Sequence, residues 1–466
     1  MQQNNLFLPG FHRAFGRSPK SALKRLEDSR NSIMKGLPGQ LPYVFEEALP
    51  LESIPKRSKE RDRGFSSAVT VWHMISQGMG SGTLRAGLVE INATLRSMGK
   101  EKLSSKTGGL CQARQRLPES TVCAVHERAL SSIDLEVQRE GGRTLFVDGT
   151  GFQLCDTHEN QLEYPQPTNQ KPGCGFPVMQ QVALIDAHSG AVVDSIDSTW
   201  RQHEGGMFQI GPLESVRPDD TLVADTAYCS FWNFALIRSR RAHGIMELHQ
   251  ARKRKFPKAK DEYRTLWSKP KLSQCPEHID DAQWQELPQD IEVRYIRSRF
   301  ERKGFRPVVK VIATTDLETP PETVQAQYTS RWDIELCFRD IKITMELDFI
   351  RAKSASMARK LYGFGLIAHN LIRWQMLRAC RGASPRQISF TGAREALRRC
   401  CELFRTRTYV GKVRLQTAIE ELIHDEKLPL RPGRHQPRVK KRRPKKFQLM
   451  TKPRHQMVVS PSRRKK

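Results

Sequence analysis

The chain has 466 residues, of which 38% are hydrophobic, and a formal net charge of +28. A chain of this length and apolar content buries a sizeable core in two or three domains, which excludes a wholly disordered protein. Residues 431–466 carry 15 Lys and Arg and no acid, so residues 1–430 still hold +13, the difference between 28 and 15. The excess charge therefore predicts a polyanionic partner, most simply nucleic acid, although a basic surface that only aids solubility is the alternative.

The sequence contains no apolar run of transmembrane length and no signal-peptide pattern. Its ten cysteines include no C-x2-C pair and no histidine at zinc-ligand spacing, which fits reduced thiols. We therefore expect a soluble, cytoplasmic protein without a membrane partner.

Residues 1–138 are predicted to be helical. A helix that begins at Ser18-Pro19 and stops near Gly36 comes first. Further helical segments are predicted at 65–78, 83–98, 107–117 and 119–134.

From Thr144 the pattern changes to strands that alternate with helices, which is typical of a mixed α/β sheet. Strands are predicted at Thr144–Asp148, Val178–Asp186, Ala191–Trp200, Thr221–Asp225 and Ile245–His249, with a helix at Phe231–Arg241. The second and third strands flank His188-Ser189-Gly190 and form a hairpin.

Residues 251–315 interrupt this alternation and are predicted to be a β-rich insertion with strands at 291–298 and 306–315. One long helix is then predicted from Glu322 to Met345, and a second from Ser354 to Leu377. Residues 376–430 form a C-terminal helical region, and the basic tail 431–466 is expected to be disordered.

Two aspartates stand at predicted strand ends, Asp148 in L-F-V-D-G-T and Asp225 in L-V-A-D-T-A-Y. If the two strands pair, both carboxylates reach one crevice at the carboxyl end of the sheet. Carboxylates with few nitrogen or sulfur ligands suit Mg²⁺ or Mn²⁺, with Glu335 as the third ligand and Glu204 as its best rival. Each aspartate taken alone also fits a simple turn-former.

A Y-x2-R-x3-E-x6-K series then occupies the predicted long helix, with Tyr328, Arg331, Glu335 and Lys342 on one face. A phenol, a guanidinium and an ammonium around a carboxylate suit the binding and cleavage of a phosphodiester.

Apolar residues at 334, 338 and 341 place the packed edge of this helix beside that face. Trp332 and Arg339 lie at the opposite edge, where Trp332 can stack on an unpaired base or simply pack against the helix.

These motifs resemble those of the bacterial DDE transposases of the insertion-sequence-four type, over about residues 140–375. The resemblance implies an RNase H-like catalytic domain at 139–375 and a metal-binding catalytic triad of Asp148, Asp225 and Glu335. It also implies that Tyr328, Arg331 and Lys342 bind phosphate near the transferred DNA end.

The partners implied by the resemblance are the element's terminal inverted repeats, bound by the helical domain 1–138, and target DNA. A homodimer in the DNA complex and association with the bacterial nucleoid are implied as well. Members of this family typically nick the element end, form and resolve a DNA hairpin, and join the free 3′-OH to target DNA by two-metal phosphoryl transfer.

Three functions remain open on the sequence. The first is an active transposase, the second a metal-dependent nuclease with the same core, and the third a transposase-derived DNA-binding protein without catalysis. The intact carboxylates and basic face argue against the third. Inverted repeats around the reading frame and a short target duplication would favour the first.

Overall fold

The fold was analysed in a computed structural model of the chain. It describes residues 41–57, 65–80, 83–97, 101–137, 139, 141–253, 256, 261–301, 307–401, 409–429 and 449–457. The predicted helix from Ser18 to Gly36 and most of the basic tail lie outside these residues.

A single mixed sheet of nine strands forms the centre of the described chain. The strands are β1 Thr144–Leu154, β2 Val178–Asp186, β3 Val192–Thr199, β4 Thr221–Ala224, β5 His243–Glu247, β6 Glu262–Ser268, β7 Asp290–Phe300, β8 Val308–Thr314 and β9 Phe349–Ile350. Their order is β3-β2-β1-β4-β5-β8-β7-β6, and the short β9 also pairs with β1. The β1–β2–β3 segment is antiparallel, β1, β4 and β5 are parallel, and β8, β7 and β6 continue the sheet in antiparallel fashion.

Helices cover both faces of this sheet and extend beyond it. They are α1 Leu41–Val44, α2 Ser67–Gly78, α3 Leu84–Ser97, α4 Gly108–Arg116, α5 Glu119–Val137, α6 His158–Glu163, α7 Glu204–Ile210, α8 Phe231–Ser239, α9 Gln250–Lys253, α10 Asp281–Glu286, α11 Pro321–Ser330, α12 Asp333–Arg339, α13 Ala355–Ala379, α14 Phe390–Cys400 and α15 Tyr409–Asp425. None of the helices in the described ranges combines the length and apolar character that crossing a membrane requires.

Strand alternation divides the core between the two faces of the sheet. On β1, Leu145 and Val147 pack with α7 and α8, whereas Phe146 packs on the opposite face with α11, α12 and α13. The face that carries Phe146 is therefore the one that α12 covers.

A third core joins the N-terminal helices to the C-terminal ones. Trp72 of α2, Phe45 and Trp374 of α13 lie in contact within it, with ring centroids 6.4 Å and 6.3 Å from Phe45. Helix α13 belongs to both this core and the sheet core, so it connects the two halves of the molecule.

Most predicted elements are confirmed, but two predictions are wrong. The long helix from Glu322 to Met345 is instead α11, a turn at Arg331–Trp332, α12, and a wider π-helical turn at Asp340–Thr344. Strand β1 does not end at Asp148 but runs on to Leu154, because its second half keeps pairing with β2 up to Gln153. The inserted strands are real, and they extend the main sheet through β8.

Candidate active site

The two aspartates lie on neighbouring parallel strands. The register pairs Phe146 with Val223, so Asp148 and Asp225, each two residues further on, come side by side. Both follow the alternation of Phe146 and Val223, whose side chains pack on the face covered by α11 and α12. The predicted pairing of these strands is thus confirmed, and it gathers both carboxylates where β4 ends.

Burial and neighbouring negative charge disfavour the ionised form of Asp148. Its pKa is raised from 3.8 to about 6, chiefly by burial and further by the charges of Asp225 and Glu204. The Gly149 N–H, 2.9 Å from Oδ1, and the Arg331 guanidinium, 3.8 Å from Oδ2, oppose that rise. A cation bound at Asp148 in addition to Arg331 would therefore be stabilised by negative charge that Arg331 does not neutralise.

Arg331 and Lys342 bring positive charge to β1 from the helical face. Arg331 pairs with Asp148, and its guanidinium also lies 5.7 Å from the ring centroid of Trp332. Lys342 donates a 2.7 Å hydrogen bond to the carbonyl of Gly151, three residues beyond Asp148. Both cations therefore flank the stretch of β1 that carries Asp148.

Tyr328 is placed differently from the exposed position that its helical face predicted. It is only 3% exposed, and its hydroxyl donates a 3.0 Å hydrogen bond to Glu247 at the end of β5. Glu247 also accepts from Lys253 and Lys310, each at 2.7 Å. Burial pushes the pKa of Glu247 up, but these donors hold it at about 2.

Glu247 was missed in the sequence because it was placed inside a strand predicted at 245–249. A strand boundary predicted two residues earlier would have located it, because ligands gather at the carboxyl ends of parallel strands and β5 ends at Glu247.

Glu335, Trp332 and Arg339 form the solvent-facing side of α12. Glu335 is exposed, Trp332 is 54% exposed, and the Arg339 side chain is 62% exposed. Within the described ranges, no three His, Cys, Asp or Glu side chains converge closely enough to hold a metal ion. Of the predicted triad, the structure brings Asp148 and Asp225 onto neighbouring strands but leaves Glu335 on the exposed side of α12, not converging with them.

Glu204, the rival third ligand, contacts the site from the other face of the sheet. It begins α7, and its Oε1 accepts a 2.8 Å hydrogen bond from Gln180 of β2. Burial raises the pKa of Glu204, and the negative charge of Asp225 raises it further. The structure therefore groups Glu204 electrostatically with both aspartates.

Fold and site define a mixed α/β protein whose central carboxylates are flanked by arginine and lysine. A family model described as the transposase DDE domain matches residues 139–371, half of the chain, and the chain belongs to this family of DDE transposases, of the IS4 type. The chain is 25% identical over 358 residues to the transposase InsG for insertion sequence element IS4 from Escherichia coli (strain K12). That similarity covers 72% of this chain and 76% of the relative.

Proposed function

We propose that this chain excises an insertion sequence at its terminal inverted repeats and joins the 3′ ends to target DNA. The observation that carries the proposal is the juxtaposition of Asp148 and Asp225 on adjacent parallel strands, with Arg331 paired to Asp148. The strand order β3-β2-β1-β4-β5, antiparallel and then parallel, supports an RNase H-like catalytic core. The family membership and the IS4 relative support transposition as the overall activity.

The donor set fits a hard divalent cation, since its carboxylate oxygens are the ligands that Mg²⁺ and Mn²⁺ prefer. Asp148, Asp225 and Glu335 would hold it, and the raised pKa of Asp148 indicates negative charge that a cation would offset. Such ions, when bound, activate the attacking hydroxyl and stabilise the leaving oxygen of an in-line displacement. Because Glu335 lies on the exposed side of α12, its carboxylate has to turn toward the aspartates on binding.

Basic side chains of the chain would bind the phosphates of the DNA backbone. Arg331 presents a planar fork suited to two phosphate oxygens, and Lys342 supplies a point charge beside β1. Exposed Trp332 can stack on a base, and exposed Arg339 can contact a neighbouring phosphate. Tyr328 reaches a phosphate only if its hydroxyl is shared between that phosphate and Glu247.

The polyanion that the charge implies is double-stranded DNA, both the element ends and the target. We infer that the helices within residues 1–138 recognise the inverted repeats and that two copies of the chain assemble on paired ends.

The test is incubation of purified protein with labelled element ends and Mg²⁺. We expect nicked, hairpin and strand-transfer products from the wild type. Glu335→Gln should bind the ends with unchanged affinity but lose cleavage, because only a metal ligand is removed. Glu322→Gln, an exposed glutamate on α11, is the matched control and should cleave normally.

Each competing function gives a different result in this assay. Cleavage without joined products would identify a nuclease, and binding without cleavage would identify a silent DNA-binding protein. A Glu335→Gln variant that cleaves like the wild type would show that the third metal ligand lies elsewhere.

A further inference from the structure

We propose that Glu204 is a fourth carboxylate of the active site, which helps to hold the divalent cation from the face of the sheet opposite α12. The inference rests on the proposed function, since it adds a residue to the same metal-binding site. Glu204 would be a ligand in addition to Asp148, Asp225 and Glu335, and it would not replace Glu335.

The backbone of β1 is shaped to let Glu204 approach Asp148. A Cβ built on Gly149 would lie 2.1 Å from Oε1 of Glu204, so the carboxylate rests directly on the Cα of this glycine. Gly149 immediately follows Asp148, and its side-chain direction is toward α7. A side chain at this position would push the carboxylate away from the aspartates.

Because β4 ends here, the part of β1 that carries Asp148 and Gly149 has no pairing with β4. β4 stops at Ala224, and Asp225 continues into a short 3₁₀ turn at Thr226–Tyr228. Among the described residues no three carboxylates are yet within metal-binding distance of one another, so Glu204 and the two aspartates would have to close around this edge when a cation binds. The position of Glu204 against Gly149, next to Asp148, agrees with the charge of Glu204 raising the pKa of Asp148 and the charge of Asp225 raising that of Glu204.

The partners that hold Glu204 come from the strands and turns that carry the aspartates. Gln180 lies on β2 opposite Gly151 of β1, and its amide donates to Oε1 at 2.8 Å. The hydroxyl of buried Tyr228, three residues after Asp225, lies 3.4 Å from Oε2. These donors orient the carboxylate, but both are neutral.

A purely structural role would be served better by an uncharged side chain. Placing a partly buried carboxylate next to two others costs free energy that neutral hydrogen-bond donors offset only in part. A bound cation would offset the remainder. An open cleft of about 350 Å³, lined by Gln180, Trp200, Arg201, His203 and Glu204 among others, gives an ion or a phosphate access to Glu204 from solvent.

The experiment measures metal binding without DNA, as the rise in Tm during Mn²⁺ titration of the full chain. Glu204→Gln preserves the shape and the contacts with Gln180 and Tyr228. It should weaken the apparent affinity for Mn²⁺ by about tenfold or more. Its metal-free Tm should equal or exceed that of the wild type, since one of three repelling charges is gone. Glu214→Gln, an exposed glutamate ten residues further on, should match the wild type throughout.

Asp225→Asn separates this inference from the proposed function. If Asp225→Asn weakens Mn²⁺ binding and Glu204→Gln does not, Glu204 is no ligand while the proposed metal site stands. If neither weakens it, the metal site itself is wrong. A metal-free Tm of Glu204→Gln well below that of the wild type would indicate a structural role and overturn the inference.

Gly149→Ala provides an independent test in which Glu204 is retained. The new methyl group displaces the carboxylate, so Mn²⁺ binding should weaken as it does in Glu204→Gln. Wild-type affinity in Gly149→Ala would contradict a role for Glu204 at its observed position.

Discussion

Asp148 is a carboxylate whose ionised form the fold disfavours. Its pKa of about 6 lies well above the value of 3.8 for a free aspartate, because burial and the charges of Asp225 and Glu204 outweigh Arg331. Ionisation of Asp148 therefore destabilises the fold near neutral pH, and a cation bound as proposed would offset this cost. Such tension between stability and charge is common at functional sites.

This tension predicts a pH-dependent stability. A carboxyl whose folded pKa is raised contributes stability that is fully present below about pH 4 and is lost as the pH rises through about 6. Asn at position 148 does not titrate. Between about pH 5 and about pH 7.5, metal-free Asp148→Asn should therefore gain on the wild type by about 1.4 kcal/mol in free energy of unfolding, since about one pKa unit of the raised pKa is titrated over this window.

Urea unfolding in EDTA at the two pH values measures this difference. Asp281→Asn, at an exposed position on α10, is the control and should keep a constant difference from the wild type. A constant difference for Asp148→Asn as well would show that Asp148 is an ordinary ionised carboxylate in the fold.

The sequence predicts a charged neighbour of Asp148 only where motif spacing or the end of a strand marks that residue. Asp225 and Arg331 were found in this way. The contact between Tyr328 and Glu247 was not predicted, because the two residues lie 81 positions apart and meet only through the sheet. The burial of Tyr328 follows from that contact, so helical periodicity alone placed it on an exposed face.

At the scale of elements, the sheet was more predictable than the helix packed on it. Alternation and turn residues located β1 to β5, because strands and turns leave local signals. The interruption of α11 and α12 left none, since Arg331 and Trp332 keep helical dihedral angles while the chain turns. The π-helical turn at Asp340–Thr344 then rotates Lys342 relative to a straight helix and lets it reach Gly151.

Helix α13 makes the second element-scale contact that sequence does not reveal. A Cβ on Gly78, at the end of α2, would lie 2.9 Å from the carbonyl oxygen of Phe364 and 3.1 Å from the Cα of Gly365. The backbones of α2 and α13 therefore cross closely, and there is no room for a methyl group. This crossing ties the N-terminal helices to the helix that packs on the sheet.

Gly78→Ala should therefore lower the free energy of unfolding by about 1–3 kcal/mol, since backbone atoms of two helices must move apart. Gly108→Ala, at the start of α4, is the control because a Cβ there meets no atom within 4 Å. It should be neutral or stabilising by less than about 1 kcal/mol. Chemical denaturation of both variants decides the point, and equal stability of the two would mean that the helices do not cross closely.

At the scale of the whole molecule, the match to the DDE domain at 139–371 spans the sheet and most of α13. The helices before and after it share one apolar core against α13. The N-terminal helices, which we propose recognise DNA, are therefore joined to the sheet by a packed helix.

The charge distribution separates general from specific DNA binding. Of the net charge of +28, residues 431–466 contribute +15, whereas the matched DDE domain and the helices around it hold the rest. Counterion release makes the logarithm of affinity fall with the logarithm of salt concentration by about 0.9 for each phosphate contacted.

A chain ending at residue 430 should therefore show a shallower salt dependence on random duplex DNA, while its preference for element ends is retained. Fluorescence anisotropy across a salt series, with an Asp148→Asn full-length chain to prevent cleavage, measures both quantities. An unchanged slope would show that the 15 basic residues do not contact phosphates, and a lost preference for element ends would place recognition in the tail.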